Sequence, residues 1–252
     1  MTFSAQELSR ISFAKGHFRR AFPGLLTLVA LVVILAICGT IQPGIWSQSG
    51  LTLILSPIVA LVIAAMAQMV MMSIGDIDLS IGFFVGMITT LVATFLRDSP
   101  AIGILALGSS VVGYSLLGAL VETRAVPSLI ATLGASFIWL GLGLFALPIP
   151  GGQVPDWLIN YTVWTPPLAI PVPLITMLVA TAATSFVMQR TRLGVTFRML
   201  GSNPAALVRS GRSLLRTRML AYGVVGVLGV LSGITLSAEI GGGDVIRYPA
   251  TH

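Results

Sequence analysis

The chain has 252 residues, of which 56% are hydrophobic and only 9% are charged, whereas about a quarter of the residues in a soluble globular protein are charged. A soluble domain of this length has no core large enough to bury so much apolar surface, so the lipid bilayer is its expected environment. The formal charge is +6, but the arginines cluster between apolar segments, which favours membrane-protein loops over a nucleic-acid groove. We therefore expect no nucleic-acid partner.

Seven segments are apolar on all sides over roughly the 20 residues that a helix needs to cross the hydrocarbon core. Strands of soluble proteins are shorter, and barrel strands of outer membranes alternate apolar and polar residues, so helices are favoured. The predicted spans, in chain order, cover residues 22–41, 51–74, 79–96, 101–121, 126–147, 168–188 and 219–238. The predicted fold class is all-α, a polytopic transmembrane helix bundle with about seven spans.

The basic residues predict how the bundle is oriented. With a cytoplasmic N-terminus, 12 of the 14 lysines and arginines lie on the cytoplasmic side, and only Arg97 and Arg247 lie outside. This bias is the one that the positive-inside rule requires. We therefore predict a cytoplasmic N-terminal segment, residues 1–21, and a transmembrane domain, residues 22–247. A cleaved signal peptide is the alternative interpretation of the first span, although no small-residue cleavage site follows it.

Residues 148–167 form a connection on the outer side that is rich in proline and glycine. It contains Trp157, Tyr161 and Trp164, and aromatic residues at the ends of spans are typical of the membrane–water interface. A docking surface for an external partner is the alternative interpretation of the same residues.

Two carboxylates interrupt the apolar sequence between the second and third spans. The segment at residues 75–80 reads GDIDLS, with Asp76 and Asp78 between Gly75 and Ser80. An acid at membrane depth costs about 2.5–3.5 kcal/mol on insertion scales, so such acids are candidates for function. Asp78 or Ser80 capping the next helix is the structural alternative. Both interpretations hold if a broken helix lies beside a translocation path, with Gly75, Asp76, Asp78 and Ser80 as its residues.

The long cytoplasmic connection at residues 189–218 carries seven arginines and an internal helix signal. Asn203 followed by Pro204 predicts a helix start, and the helix is expected to end near Gly211. A short helix on the membrane surface, flanked by arginines, is suited to bind another protein. The alternative is a basic loop that only obeys the positive-inside rule.

Several absent motifs restrict the chemistry of the chain. No G-x-x-x-x-G-K-[ST] phosphate loop is present, so any ATP must be bound by another chain. The sequence also contains no cluster of Ser, His and Asp residues that would indicate an enzyme. Cys38 is the only cysteine and the two histidines lie near the termini, so neither a metal site nor a cofactor is predicted.

The last predicted span is rich in glycine, which permits close approach of helix backbones. Packing within the chain and packing between two copies are both open. The glycines are Gly223, Gly226, Gly229 and Gly233.

Three segments resemble one family of membrane proteins. The GDIDLSIG sequence at 75–82 resembles the G-x-I-D-L-S-V-G signature of ABC permeases for ribose, xylose, galactose and autoinducer-2. VPSLIATLG at 126–134 resembles the V-P-P-F-I-V-T-L-G segment of that family. RTRLG at 190–194, followed by GSNPAA at 201–206 and Ser210-Gly211, resembles its coupling loop.

The resemblance implies the permease subunit of an ATP-driven importer in the bacterial inner membrane, translocating a monosaccharide or similar small polar solute. Its implied partners are a cytoplasmic ATP-binding subunit, a second permease copy or paralogue, and a periplasmic solute-binding protein. Asp78 would hold the broken helix near the translocation path. The residues implied to contact the ATPase are Gly201, Asn203, Ala205, Ala206, Arg209 and Gly211.

The chain departs from the family pattern in two places. Leu140-Gly141 stands where the family often has arginine, and the sequence stops at residues 248–252, where the family continues through further spans. We therefore expect a truncated form. An ion-coupled secondary transporter or channel using Asp76 and Asp78 is the alternative function, and uptake that follows an ion gradient without ATP would identify it.

Overall fold

The computed structural model describes residues 24–164 and 170–245, so the predicted cytoplasmic segment at 1–21 and the tail at 248–252 lie outside the described residues. The described residues form helices joined by short connections. A 3-10 turn, Pro43–Trp46, precedes α2, and a π-helical turn, Val92–Leu96, extends α3. The helices are α1 (Gly24–Ile41), α2 (Gln48–Ser73), α3 (Ile81–Leu91), α4 (Pro100–Arg124), α5 (Ser128–Ala146), α6 (Asp156–Val163), α7 (Val172–Arg190), α8 (Arg192–Ser202), α9 (Pro204–Arg209) and α10 (Leu214–Ile240).

The helical fold class is confirmed, since within residues 24–164 and 170–245 no strand forms and one isolated bridge pairs Gly151 with Gly243. Six helices are long and apolar enough to cross a membrane, namely α1, α2, α4, α5, α7 and α10. These six match six of the seven predicted spans to within a few residues. The chain is therefore a multi-pass membrane protein.

The third predicted span is shorter than the others. With its π turn, α3 covers Ile81–Leu96, or about 24 Å at the rise of an α-helix, whereas the hydrocarbon core is roughly 30 Å thick. Its seven residues 84–90 are all buried by other parts of the protein. The helix is thus apolar on all sides because neighbouring helices surround it. A helix that faces lipid has the same sequence pattern.

The chain divides into two compact units, Met1–Leu51 and Thr52–His252. In the first unit, the apolar side chains of α1 are exposed along its length, as expected of a helix that faces lipid. The indole of Trp46 packs so closely on Gly39 that a side chain there would collide with it. The hydroxyl of Ser47 accepts the backbone N–H of Gly50 at 3.1 Å, which caps the start of α2.

In the second unit, the glycines of α10 provide the contact surface for α3 and α4. A Cβ atom on Gly226 would lie 3.0 Å from Tyr114 of α4, and one on Gly229 would lie 2.6 Å from the ring of Phe84 of α3. Without side chains at these positions, the helix backbones approach closely. The glycines seen in the sequence therefore serve packing within the chain.

The connections lie at two opposite ends of the second unit. At one end, the residues after α10 form a hook, in which Gly243 exchanges both backbone hydrogen bonds with Gly151 at 2.8 and 3.1 Å. Val245 at the tip of this hook is buried between Gly86 of α3 and Gly143 of α5. The GDIDLS segment lies at the other end, which we call the GDIDLS end. The orientation of the bundle, meaning which of the two ends faces the cytoplasm, stays a prediction.

The three aromatic residues of the outer connection lie on α6 or directly after it. Trp157, Tyr161 and Trp164 are all exposed. Exposed indole and phenol rings suit both an interfacial belt and a docking surface. Both interpretations of residues 148–167 therefore stay predictions.

Candidate functional site

Gly75 lies just after the end of α2 and begins the break between two apolar helices. Its φ angle of +81° lies in the left-handed region, which glycine enters without steric cost. The backbone N–H of Asp76 donates to the carbonyl of Met71 at 3.2 Å, and that of Gly75 donates to Met72 at 3.1 Å. This pair of bonds is the Schellman pattern, which satisfies the last carbonyls of a helix. The break is thus built into the sequence by one glycine.

The carboxylate of Asp78 holds the start of α3 to α4. Its Oδ1 accepts the backbone N–H of Ser80 at 2.7 Å and the hydroxyl of Ser80 at 2.8 Å. Its Oδ2 accepts the hydroxyl of Tyr114 from α4. Asp78 is only 4% exposed, so these donors replace the water that it lacks. Of the two capping candidates, Asp78 therefore performs the role, while the Ser80 side chain makes no capping bond.

The GDIDLS segment also binds the start of α5. The backbone N–H of Leu79 donates to the hydroxyl of Thr132 at 3.1 Å, and that of Ile77 donates to the hydroxyl of Ser128 at 3.3 Å. Both hydroxyls belong to the VPSLIATLG segment. The two sequence motifs are therefore two halves of one contact, since side chains on α5 satisfy the backbone of a segment that is not helical.

Thr132→Val should destabilise the protein by about 1–3 kcal/mol, because Thr132 is fully buried and its hydroxyl is the acceptor for the part-buried N–H of Leu79, while valine keeps the shape of the side chain. We expect the midpoint of thermal unfolding in detergent to fall by about 2–4 °C for each kcal/mol. Thr123→Val is the matched control, because the hydroxyl of Thr123 is exposed and bonds only to a carbonyl of its own helix. Equal midpoints for the two variants would contradict the assigned contact.

Asp76 belongs to a second polar cluster at the same end. The hydroxyl of Tyr222 donates to its Oδ2 at 3.1 Å, and the guanidinium of Arg218 lies 3.7 Å from the same oxygen. Arg218 also forms an ion pair with Glu122, with Nε 3.0 Å from Oε2. Arg218 therefore connects α10 with α4 and with the GDIDLS segment.

Four residues of this site were not singled out from the sequence, namely Tyr114, Tyr222, Arg218 and Glu122. The sequence pattern identified Arg218 only as one of the seven arginines in residues 189–218. The spacing of four between Arg218 and Tyr222 places both on one face of α10, which is a usable signal for a shared partner. Their partner, Asp76, is 146 residues from Tyr222, and no local pattern indicates that pairing.

The helix predicted within residues 189–218, which we call the coupling segment after the family loop that it resembles, is confirmed. The Asn203 side chain accepts the backbone N–H of Ala206 at 3.0 Å, Pro204 occupies the first turn, and the chain reverses at Gly211 with φ of +77°. The preceding helix, α8, falls where the sequence was interpreted as loop. On α9, Ala205 and Arg209 are exposed and Ala206 is half-buried.

Gly201 brings the coupling segment against the GDIDLS segment. A Cβ atom on Gly201 would lie 2.5 Å from the carbonyl oxygen of Ser73, 2.8 Å from the carbonyl carbon of Ile74 and 3.0 Å from the nitrogen of Gly75. Such a close approach of two backbones requires glycine. The two sets of candidate residues, predicted separately from the sequence, therefore adjoin in the structure.

The site is engaged in internal contacts rather than arranged to bind an ion. Both carboxylates of the GDIDLS segment already have partners, which are Tyr222 and Arg218 for Asp76, and Tyr114 and Ser80 for Asp78. Within residues 24–164 and 170–245, no group of three or more His, Cys, Asp or Glu residues has the arrangement of a metal site. The contacts of the GDIDLS segment fix α4, α5, α10 and the coupling segment relative to one another.

Three known proteins that are similar to this chain are all named as permease proteins. The probable ABC transporter permease protein YphD of Escherichia coli (strain K12) is 30% identical over 229 residues, which cover 88% of this chain and 67% of YphD. The autoinducer 2 import system permease protein LsrC of Enterobacter sp. (strain 638) is 28% identical, over 85% of this chain and 64% of LsrC. The ribose import permease protein RbsC of Escherichia coli (strain K12) is 26% identical, over 85% of this chain and 69% of RbsC.

The chain spans about two thirds of the length of these relatives. No solved structure matches it. The resemblance predicted from the three motifs is confirmed by the relatives named above. A family model described as "Branched-chain amino acid transport system / permease component" matches residues 50–248, and the chain belongs to this family of transport permeases.

Proposed function

We propose that the chain is the membrane-spanning permease subunit of an ATP-driven ABC importer for a monosaccharide or a similar small polar solute. The names of two relatives, a ribose import permease and an autoinducer 2 import permease, support this class of solute. Its location would be the bacterial inner membrane, with residues 1–21 cytoplasmic and 22–247 as the permease domain. The proposed partners are a cytoplasmic ATP-binding subunit, a second permease copy or paralogue, and a periplasmic solute-binding protein.

The observation that carries this proposal is the contact between Gly201 of α8 and the backbone of residues 73–75. α8 is anchored to the bundle by Phe197 and Leu200, which are buried, while α9 beyond it is largely exposed. A force on α9 would pass through α8 to the end of α2 and the GDIDLS segment. Packed helices move as bodies, so this path suits a subunit that is driven by an external ATPase.

The surface of α9 has the features of a docking site for another protein. Leu207 is fully buried and fixes the helix to the bundle, whereas Val208 on the next position is 53% exposed. The exposed side also carries Arg209 and Ala205. An apolar centre beside an arginine is a common composition for a protein interface. The remaining residues of segment 189–218 would support this surface.

Ala206→Glu should prevent co-purification of the ATP-binding subunit, because it places a charge in the centre of the proposed interface. A charge buried without a partner costs several kcal/mol, enough to lower the affinity by a hundredfold or more. Complex formation is measured by affinity purification of the co-expressed subunits, and solute uptake by vesicle assays.

Ala101→Glu is the matched control for this substitution. Ala101 is exposed in the first turn of α4, at the end of the bundle opposite the GDIDLS segment. A glutamate there is favourable to the helix dipole and distant from α9. If the Ala206→Glu variant binds the ATPase and takes up solute as the control does, the assignment of α9 as the coupling surface is wrong.

The ion-coupled alternative gains no specific support from the geometry. A carboxylate that binds a proton or cation during transport must have oxygen atoms open to the path. Asp76 and Asp78 are 7% and 4% exposed, and both bind side chains of neighbouring helices. Their arrangement favours a role in holding the broken helix.

A further inference from the structure

A crevice of about 450 Å³ lies at the side of the bundle, between α2, α4, α7, α8 and α10. Ligand pockets usually have volumes of roughly 300–1,000 Å³, so this one is large enough to hold part of a molecule. It opens to the surface, since Leu220 and Val227 of its α10 wall are 55% and 46% exposed. None of its residues belongs to the GDIDLS segment or to α9.

The walls of the crevice are apolar. Among its described lining residues, only Ser115 and Thr184 have polar side chains, and the others are aliphatic, glycine or methionine. A sugar would lose hydrogen bonds to water in such a site and gain few in return, so the transported solute does not fit here. A hydrocarbon chain has no hydrogen bonds to lose, so it does fit in this crevice.

The depth of the crevice corresponds to one leaflet of a bilayer. Its α10 wall runs from Leu220 to Leu228, which is about 12 Å at the rise of an α-helix. Half of a hydrocarbon core that is roughly 30 Å thick measures about 15 Å. The crevice therefore reaches from the end of the bundle towards its middle, the course of an acyl chain in one leaflet.

Three arginines lie next to lining residues at the GDIDLS end of the crevice. Arg192 directly precedes Leu193 of the lining, Arg216 lies one helical turn before Leu220, and Arg190 ends α7, and all three are exposed. Glu122, on the α4 side, is already paired with Arg218, so its charge is balanced. Basic groups beside an apolar crevice at a membrane surface are complementary to a lipid phosphate.

From these observations we propose that the crevice binds one anionic phospholipid, with an acyl chain between α7 and α10 and the phosphate at Arg190, Arg192 and Arg216. A second copy of the chain is less suited to cover it. Two parallel copies related by a two-fold axis would bring these arginine-rich ends towards each other. The lipid instead neutralises them and fills the space between the helices.

The test uses the purified 252-residue chain, delipidated and titrated with phosphatidylglycerol or phosphatidylethanolamine of identical acyl chains. Bound lipid is counted by native mass spectrometry. We expect one phosphatidylglycerol to bind more tightly than phosphatidylethanolamine. Combining Arg192→Gln with Arg216→Gln should weaken phosphatidylglycerol binding by about fivefold for each arginine. Arg97→Gln, at the opposite end of the bundle, should leave it unchanged.

Two neighbouring alanines on α7 test the crevice itself. Both Ala182 and Ala183 are exposed, but only Ala183 lines the crevice. Ala183→Leu should therefore displace the acyl chain, while Ala182→Leu should bind lipid as the unmodified chain does. The arginine pair keeps the test decisive if the Ala183→Leu variant does not fold.

Three results would overturn the proposal. The first is equal binding by the Ala182→Leu and Ala183→Leu variants. The second is equal binding of both lipids with no effect of the arginine pair, which means an ordinary lipid annulus. The third is a dimer formed when a short bismaleimide reacts with Ala183→Cys in a Cys38→Ser background, which means that a second copy covers the crevice. None of these readouts depends on transport, so they are separate from the test of the proposed function.

Discussion

Arg218→Met is expected to destabilise the protein by about 3–5 kcal/mol and to abolish solute uptake. The guanidinium of Arg218 lies 3.0 Å from Glu122 and 3.7 Å from Asp76, so its removal leaves two carboxylates without their cation. Asp76 is almost fully buried and cannot recover the lost interaction from water. Methionine keeps an unbranched apolar stem as far as the position of Nε, so the effect measures mainly the lost charge and hydrogen-bond donors.

The measurement is the thermal midpoint in detergent together with uptake into vesicles. Arg124→Met is the matched control, because Arg124 is an exposed arginine in the last turn of α4 at the same end of the bundle. Adding Asp76→Asn and Glu122→Gln to Arg218→Met should restore much of the lost stability, since no uncompensated charge then remains. Arg218→Met and Arg124→Met with the same midpoint would refute the assigned role of the ion pairs.

The transmembrane fold was largely predictable from the sequence because the bilayer imposes a simple requirement. Every backbone group in the hydrocarbon core must be paired within its own helix, so the length and apolarity of a segment suffice to predict a span. The same rule could not identify α3 as a buried central helix. Lipid and the apolar faces of other helices favour the same residue types. A phenylalanine such as Phe84 suits either environment.

The candidate site was predictable only in part. Asp76 and Asp78 stand out because acids within apolar sequence are rare, and Asn203-Pro204 is a local signal for a helix start. Tyr114 and Tyr222 carry no such signal, since single tyrosines are common in membrane helices. Their importance arises from pairing with residues that are 36 and 146 positions away in the sequence. Such pairings depend on how helices pack, which periodicity and composition do not encode.

The close approach at Gly201 was also beyond sequence reasoning. The glycine was selected through its family motif as a residue that contacts the ATPase, and the structure places it against the chain's own backbone at Ser73 and Gly75. A glycine without a positive φ angle gives no sign in the sequence of which neighbour needs the space. The finding adds a contact inside the chain to the predicted contact with the partner, which stays a prediction.

Gly201→Ala is expected to leave the ATP-binding subunit bound while lowering solute uptake by about two- to thirtyfold. The added Cβ atom would lie 2.5 Å from the carbonyl oxygen of Ser73 and 2.8 Å from the carbonyl carbon of Ile74. Neither backbone atom can rotate away, so α8 must shift relative to the end of α2. Substitutions along a coupling path change coupling by about 0.5–2 kcal/mol, which corresponds to this loss of uptake.

This expected result differs from that of Ala206→Glu, which removes the partner itself. In the Gly201→Ala variant the exposed face of α9 is unchanged, so the complex should be recovered at normal yield while ATP hydrolysis is less well coupled to uptake. Gly108→Ala is the matched control, because Gly108 lies inside α4 and a Cβ atom there meets nothing within 4 Å. Since both substitutions replace a helical glycine with alanine, a difference between them reports on space rather than on helix propensity. Normal uptake by Gly201→Ala would mean that force from α9 reaches the GDIDLS segment by another route, such as the contacts between α8 and α10.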